Sequence, residues 1–173
     1  MNKSPSWIKL KELASLYDYF LFDCDGVLWY SNTQIGQSFK NIDYLESLGK
    51  KVYFVTNSSV ISRKSLCSKL ISDNFGYQNA KLSHLYPAST LSALYIKQFL
   101  PSCKKVWCIG MPPLIEEFNS HSLECIGGTN DLPQFDSKVI NYDELDAYPL
   151  DPEVGAVVQG LDQAINYSKM AIA

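Results

Sequence analysis

Two unbroken apolar runs, each stopping at a cluster of small polar residues, constrain this chain more than any other feature. Tyr19-Phe20-Leu21-Phe22 runs into Asp23-Cys24-Asp25-Gly26, and Val52-Tyr53-Phe54-Val55 runs into Thr56-Asn57-Ser58-Ser59. A continuous apolar run of this length reads as a central parallel strand covered on both faces. Between the two runs, Phe39, Ile42, Leu45 and Leu48 recur at helical spacing, and Gly49 stands where a helix would stop. A further helix is predicted from Ser62 to Ser72, with Leu66 and Leu70 on one face. Strand, helix, strand, helix in this order predicts right-handed βαβ units and an α/β fold with a parallel sheet. Open sheets of this kind bind ligands beyond the carboxyl ends of their strands, so both polar clusters belong to one candidate site.

The same rhythm continues on either side. Trp7, Leu10, Leu13 and Leu16 predict a short amphipathic helix near the start. After Leu85-Tyr86-Pro87 a helix is expected from Ala88 to Leu100, punctuated by Pro101. Then come a strand at Val106–Gly110, a helix at Pro113–Phe118 and a strand at Leu123–Ile126. An acidic connection from Asp131 to Glu153 follows, with at most a short strand at Val139-Ile140. A strand at Val154–Leu161 and a helix from Asn166 complete the chain. We place a domain boundary between Pro101 and Lys104, separating residues 1–102 from 103–173. Tyr167–Ala173 reads as a helix under way, so truncation of a longer protein is as good a reading as a natural terminus.

Composition narrows the partners. The formal net charge is −3, which leaves no broad basic face for a nucleic-acid backbone. A small anion needs only local donors and stays open. The N-terminus lacks the apolar core of a signal peptide and no stretch could span a membrane, so the cytosol is the default setting. The five cysteines are scattered without a C-x-x-C pair, so neither a zinc cluster nor a disulfide framework is expected. Packing as reduced, small apolar groups is the expectation.

The chemistry lies in the polar clusters. Asp23 and Asp25, two apart on an extended strand end, point the same way, and Gly26 permits a sharp departure behind them. One carboxylate of such a pair can act as nucleophile while the other carries a proton. The pair also suits Mg²⁺, which takes one or two carboxylates together with water and phosphate oxygens. Asp-x-Asp-Gly is also ordinary turn chemistry, and that alternative stays open here. Thr56 offers a hydroxyl and neighbouring backbone N–H groups at the second strand tip, suited to a phosphoryl oxygen. A helix starting close by would add favourable potential for an anion. Thr56 to Ser59 could equally be a capping segment.

Phe22-Asp23-Cys24-Asp25-Gly26-Val27-Leu28-Trp29 followed by Val55-Thr56-Asn57-Ser58-Ser59 resembles the haloacid dehalogenase superfamily. More closely it is similar to the 4-nitrophenylphosphatase and phosphoglycolate phosphatase group. The resemblance continues through Val106–Glu117 and Gly155–Asp162 to Tyr167 and Lys169. It implies a Rossmann-like parallel-sheet core, incomplete in this chain, and the first part of an α/β cap domain. It implies hydrolysis of small phosphomonoesters, with phosphoglycolate as one candidate. Asp23 would be the nucleophile and Asp25 the acid/base. Mg²⁺ would be held by the Asp23 carboxylate and the Asp25 carbonyl. Gly26, Thr56, Asn57 and Ser58 would surround the phosphoryl group. Caps of this kind often contribute to homodimers.

Two departures stand out. Ser58 replaces a common Asn, keeping the backbone N–H and losing an amide. The lysine and further acidic ligand that complete such sites have no counterpart in these residues, and Lys169 is no substitute. The chain alone is therefore expected to be inactive or nearly so and to expose apolar sheet faces. A non-catalytic remnant that binds a partner or phosphate is the rival reading. Among other candidates, His84 and His121 read as surface residues and Gly127-Gly128-Thr129 as a plain turn. Trp29 and Tyr30 suit either substrate stacking or packing, and Asp162 either a functional or a capping role. Arg63 and Lys64 would steer an anion or form a solvated face.

Overall fold

The computed structural model describes residues 9–128 and 142–173. The chain divides into two compact units, Met1–Thr56 with Leu66–Leu85, and Asn57–Ser65 with Tyr86–Ala173. The helix before Pro101 packs within the second of these units. Trp7, Val139-Ile140, Thr129 and Asp131 lie outside the described residues.

In the first unit, α1 (Leu10–Leu16) leads into β1 (Tyr19–Asp23). A two-stranded antiparallel hairpin, β2 (Trp29–Tyr30) and β3 (Thr33–Gln34), precedes α2 (Ser38–Ser47) and β4 (Lys51–Thr56). Then come α3 (Arg63–Ile71), whose Arg63–Ser65 belong to the second unit, a 3₁₀ turn (Leu82–His84) and β5 (Leu85–Pro87), of which Leu85 belongs to the first, giving a sheet ordered β1-β4-β5. β1 and β4 are parallel, with Asp23 opposite Val55, which brings the two strand tips side by side. The helical spacing read in α2 sends Phe39, Ile42 and Leu45 inward, while Gly49 follows its end at a φ of 75°. Aromatic rings fill the space above them: Phe39 stacks with Trp29 at 6.4 Å and Tyr77 at 5.7 Å, and Phe54 meets Tyr77 at 5.4 Å. The Tyr77 hydroxyl donates to Glu46 Oε1 at 2.7 Å, so a buried ring keeps its polar end satisfied.

Among the described residues β1 pairs with β4 alone, its pattern of burial alternates, and Leu21 is 68% exposed, so its apolar run is not covered on both faces here. The central place belongs to β4, whose Val52, Phe54 and Thr56 are buried. An apolar run specifies a strand that can be covered, and covering it depends on neighbours far away in sequence. The expectation of exposed apolar sheet faces holds at this strand. In α1 the buried position is Ala14, and Leu16 is exposed, so its spacing of three does not define a fully buried stripe.

The second unit is a three-layer α/β arrangement. It contains α4 (Ala88–Phe99), β6 (Lys105–Ile109), α5 (Pro112–Ser120), β7 (Glu124–Gly127), α6 (Tyr142–Asp146), β8 (Val154–Gln159) and α7 (Tyr167–Ile172). Its sheet is all parallel in the order β7-β6-β8. The period of two in β6 divides its side chains between the two faces. Val106 and Cys108 pack with Ala93, Ile96, Leu114 and Phe118. Trp107 and Ile109 face Leu145, Tyr148 and Ile172. Helix α6 sits where only a connection was expected. The end of that acidic stretch is anchored by Lys105, whose Nζ lies 2.9 Å from Asp151 and 2.8 Å from Glu153.

Candidate active site at the tip of β1

The loop after β1 is built by one carbonyl. Cys24 O accepts from the amides of Val27, Leu28 and Trp29 at 3.3, 2.9 and 3.3 Å, folding the chain into a tight turn. Gly26 takes a φ of 83° within it, and its amide donates to Trp29 O at 2.7 Å. That conformation is strained for any residue with a Cβ, which is why glycine follows the second aspartate. Asp23 and Asp25 are both exposed on either side of the fully buried Cys24. Asp23 Oδ1 accepts from the Cys24 amide at 2.8 Å, and Asp25 Oδ1 accepts from the Trp29 indole Nε1 at 2.8 Å.

Burial, together with the Asp25 and Asp23 carboxylates, pushes the Cys24 thiol up to about 12. A thiol held protonated in this way is no nucleophile. Two exposed carboxylates suit a hard cation as two of its oxygen ligands. Among the described residues, no group of three or more His, Cys, Asp or Glu side chains could hold a metal ion.

Thr56 ends β4 one residue beyond Val55, the partner of Asp23, and is buried. Helix α3 begins only at Arg63, and Ser62 Oγ caps it by accepting from the Ser65 amide at 3.3 Å. The amides of Thr56 and Asn57 are therefore not the first turn of a helix, and the capping alternative for Thr56 to Ser59 falls away. Asn57 is exposed, and Ser58 O accepts from the Ala88 amide at 3.2 Å. Ser59 Oγ is taken by the Leu161 amide at 2.9 Å.

The other candidates resolve into structure. Trp29 is buried between rings, whereas Tyr30 is exposed. Arg63 neither steers anions nor forms a solvated face: its Nε reaches Glu117 Oε1 at 2.8 Å and its amide reaches Oε2 at 2.9 Å. His121 is not a surface residue, lying 3.2 Å from Arg63 Nη2 with its side chain 12% exposed. Burial and the Arg63 charge lower its proton affinity. His84 packs its ring 5.2 Å from Tyr53 with Nδ1 buried. Gly127 ends β7, and both it and Gly128 take positive φ. Asp162 accepts from the Ala164 amide at 2.9 Å and pairs with the buried Lys169 at 3.4 Å, while Asn166 caps α7. The indole bond to Asp25 was not foreseen. Its signal is a tryptophan four residues after the second aspartate of an Asp-x-Asp-Gly turn.

The haloacid dehalogenase-like hydrolase family model matches residues 20–124, and the chain belongs to that family. It is 34% identical over 174 residues to a 4-nitrophenylphosphatase of Schizosaccharomyces pombe, covering 99% of this chain and 56% of the relative. It is 37% identical to Phosphoglycolate phosphatase 2 of Arabidopsis thaliana, over 92% of this chain and 52% of the relative. Among solved structures, a p-nitrophenyl phosphatase from Archaeoglobus fulgidus superimposes with a TM-score of 0.66 at 28% identity, over 88% of this chain and 48% of that one. The chain thus spans about half the length of the relatives it matches. No helix among the described residues is long and apolar enough to cross a membrane.

Proposed function

We propose that this chain carries the nucleophilic half of a phosphomonoester hydrolase working through an aspartyl-phosphate. The observation that carries the reading is the pairing of the strand tips: Asp23 and Asp25 leave β1 beside the end of β4, where Thr56 stands. An Asp23 oxygen forms a bond to phosphorus as the bond to the leaving oxygen breaks, and the Asp25 carboxyl gives its proton to that oxygen. The Asp25 carboxylate then takes a proton from water, whose oxygen attacks phosphorus and frees Asp23 and inorganic phosphate. Gly26, Thr56, Asn57 and Ser58 surround the phosphoryl oxygens. The Asp23 carboxylate and the Asp25 carbonyl would hold Mg²⁺, which would supply neutralising charge. Phosphoryl transfer asks for little beyond such positioning and neutralisation.

The substrate class is small phosphomonoesters, with 4-nitrophenyl phosphate as a probe and phosphoglycolate as the metabolite candidate, in a cytosolic setting. Residues 103–173 begin a cap that selects the leaving group and offers a surface for homodimers. The test is Mg²⁺-dependent release of nitrophenol by the protein at its natural length. Asp23→Asn is expected to lower kcat at least about 10³-fold. An Asp23→Asn protein that keeps its rate sinks the reading. A folded protein of natural length without turnover favours the rival, a non-catalytic binding remnant.

A further inference from the structure

We propose that Trp29 is a positioning residue for Asp25, holding one carboxylate oxygen so that the other can serve the leaving group. The inference rests on the acid/base role proposed for Asp25. An exposed aspartate rotates freely about two side-chain bonds, and a mobile acid delivers its proton poorly. The Trp29 Nε1–H ties Asp25 Oδ1 at 2.8 Å, so the carboxyl is held in place by one of its two oxygens. The donor itself is fixed. Trp29 is 1% exposed, with the Phe75 ring at 5.3 Å and the Phe39 ring at 6.4 Å. The backbone adds a second tie, since Asp25 and Trp29 form a bridge across the turn that Cys24 O closes.

Lys69 completes the arrangement. Its Nζ stands 4.7 Å from the Trp29 ring centroid and 5.5 Å from that of Phe75, and donates to Ser31 O at 3.2 Å. A cation on an indole face draws electron density from the ring and makes its N–H a stronger donor. Lysine, indole and carboxylate therefore form a chain that ends on the acid. An indole that only fills the core would donate to Asp25 without affecting proton delivery, and the two roles separate experimentally.

The test compares kcat/KM for phenyl phosphate and 4-nitrophenyl phosphate, esters of similar shape whose leaving groups differ in their need for a proton. Nitrophenolate leaves without help, and phenolate leaves well only when protonated. In the protein at its natural length, Trp29→Phe is expected to lower kcat/KM for phenyl phosphate about tenfold and for the nitro ester less than about twofold. An equal loss on both esters, or none on either, overturns the inference. If Trp29→Phe does not fold, Lys69→Met decides in its place. A loss of about twofold to threefold confined to phenyl phosphate upholds the proposal, and no bias overturns it. Asp25→Asn separates the two levels. A strong bias toward the nitro ester keeps the acid in place whatever Trp29→Phe shows. An unbiased Asp25→Asn removes the acid, and the positioning role with it.

Discussion

Strands β1 and β6 begin from nearly the same sequence information and end in opposite environments. Tyr19-Phe20-Leu21-Phe22 and Val106-Trp107-Cys108-Ile109 are both unbroken apolar runs, each followed by a glycine within four residues. β6 has a parallel neighbour on each side and helices over both faces, and its four apolar residues are all buried. Among the described residues β1 has one neighbour and leaves Tyr19 and Leu21 exposed. Their tips differ as well. At β1 the chain opens into exposed carboxylates, whereas at β6 the Ile109 carbonyl accepts from the Gly160 amide and the tip is closed by packing. Apolar composition fixes how a strand is made, and chemistry appears where the tip is left open.

The sharpest way to break this comparison is to truncate one side chain in each strand. Trp107→Ala removes a buried ring and should cost about 3–5 kcal/mol in denaturant unfolding followed by circular dichroism. Leu21→Ala should change the same midpoint by less than about 0.5 kcal/mol. A cost near 2 kcal/mol at Leu21 would show that something beyond the described residues covers β1.

A closer match is offered by Gly26 and Gly127, which share a φ of 83°. A Cβ at Gly26 meets nothing within 4 Å, whereas at Gly127 it would lie 2.7 Å from Cys108 O and 3.2 Å from the Trp107 ring. Gly26→Ala should therefore cost about 1 kcal/mol of backbone strain alone. Gly127→Ala should cost about 2–3 kcal/mol, because a backbone oxygen must also move. Equal costs in thermal melts would mean that the closed tip is looser than its packing indicates.

A third effect is electrostatic and belongs to the second unit. Burial works against the Glu117 carboxylate, but the Arg63 amide and guanidinium prevail and hold its pKa below the ordinary 4.5. A group depressed in this way contributes stability above its unfolded value that is lost as pH falls through the folded one. His121 is also depressed from 6.5, so its contribution begins to fade as pH drops below that value. Stability should thus decline from about pH 6.5 downward in two stages. Glu117→Gln should flatten the lower stage at a cost of about 1–3 kcal/mol at neutral pH. A Glu117→Gln protein with an unchanged acid limb would remove the pair from this account.

Much of this molecule was legible in one dimension. The βαβ rhythm, the ends of α2 and α4, the parallel sheets and the aspartates at a strand tip all follow from periods of 2 and 3.6 and from glycine placement. Those signals are local: a dihedral preference or an alternation of side chains is complete within a few residues, and β1, β4, β6 and β8 formed where their apolar runs lie. Tertiary structure decided the rest. It put β4 between β1 and β5 in the first sheet, turned Arg63 and His121 onto Glu117, and set the Trp29 indole against Asp25 with Lys69 over its ring. Each of these depends on groups brought together from separate turns or elements. Burial, charge pairing and donor orientation are properties of a neighbourhood, and the neighbourhood exists only once the chain has folded.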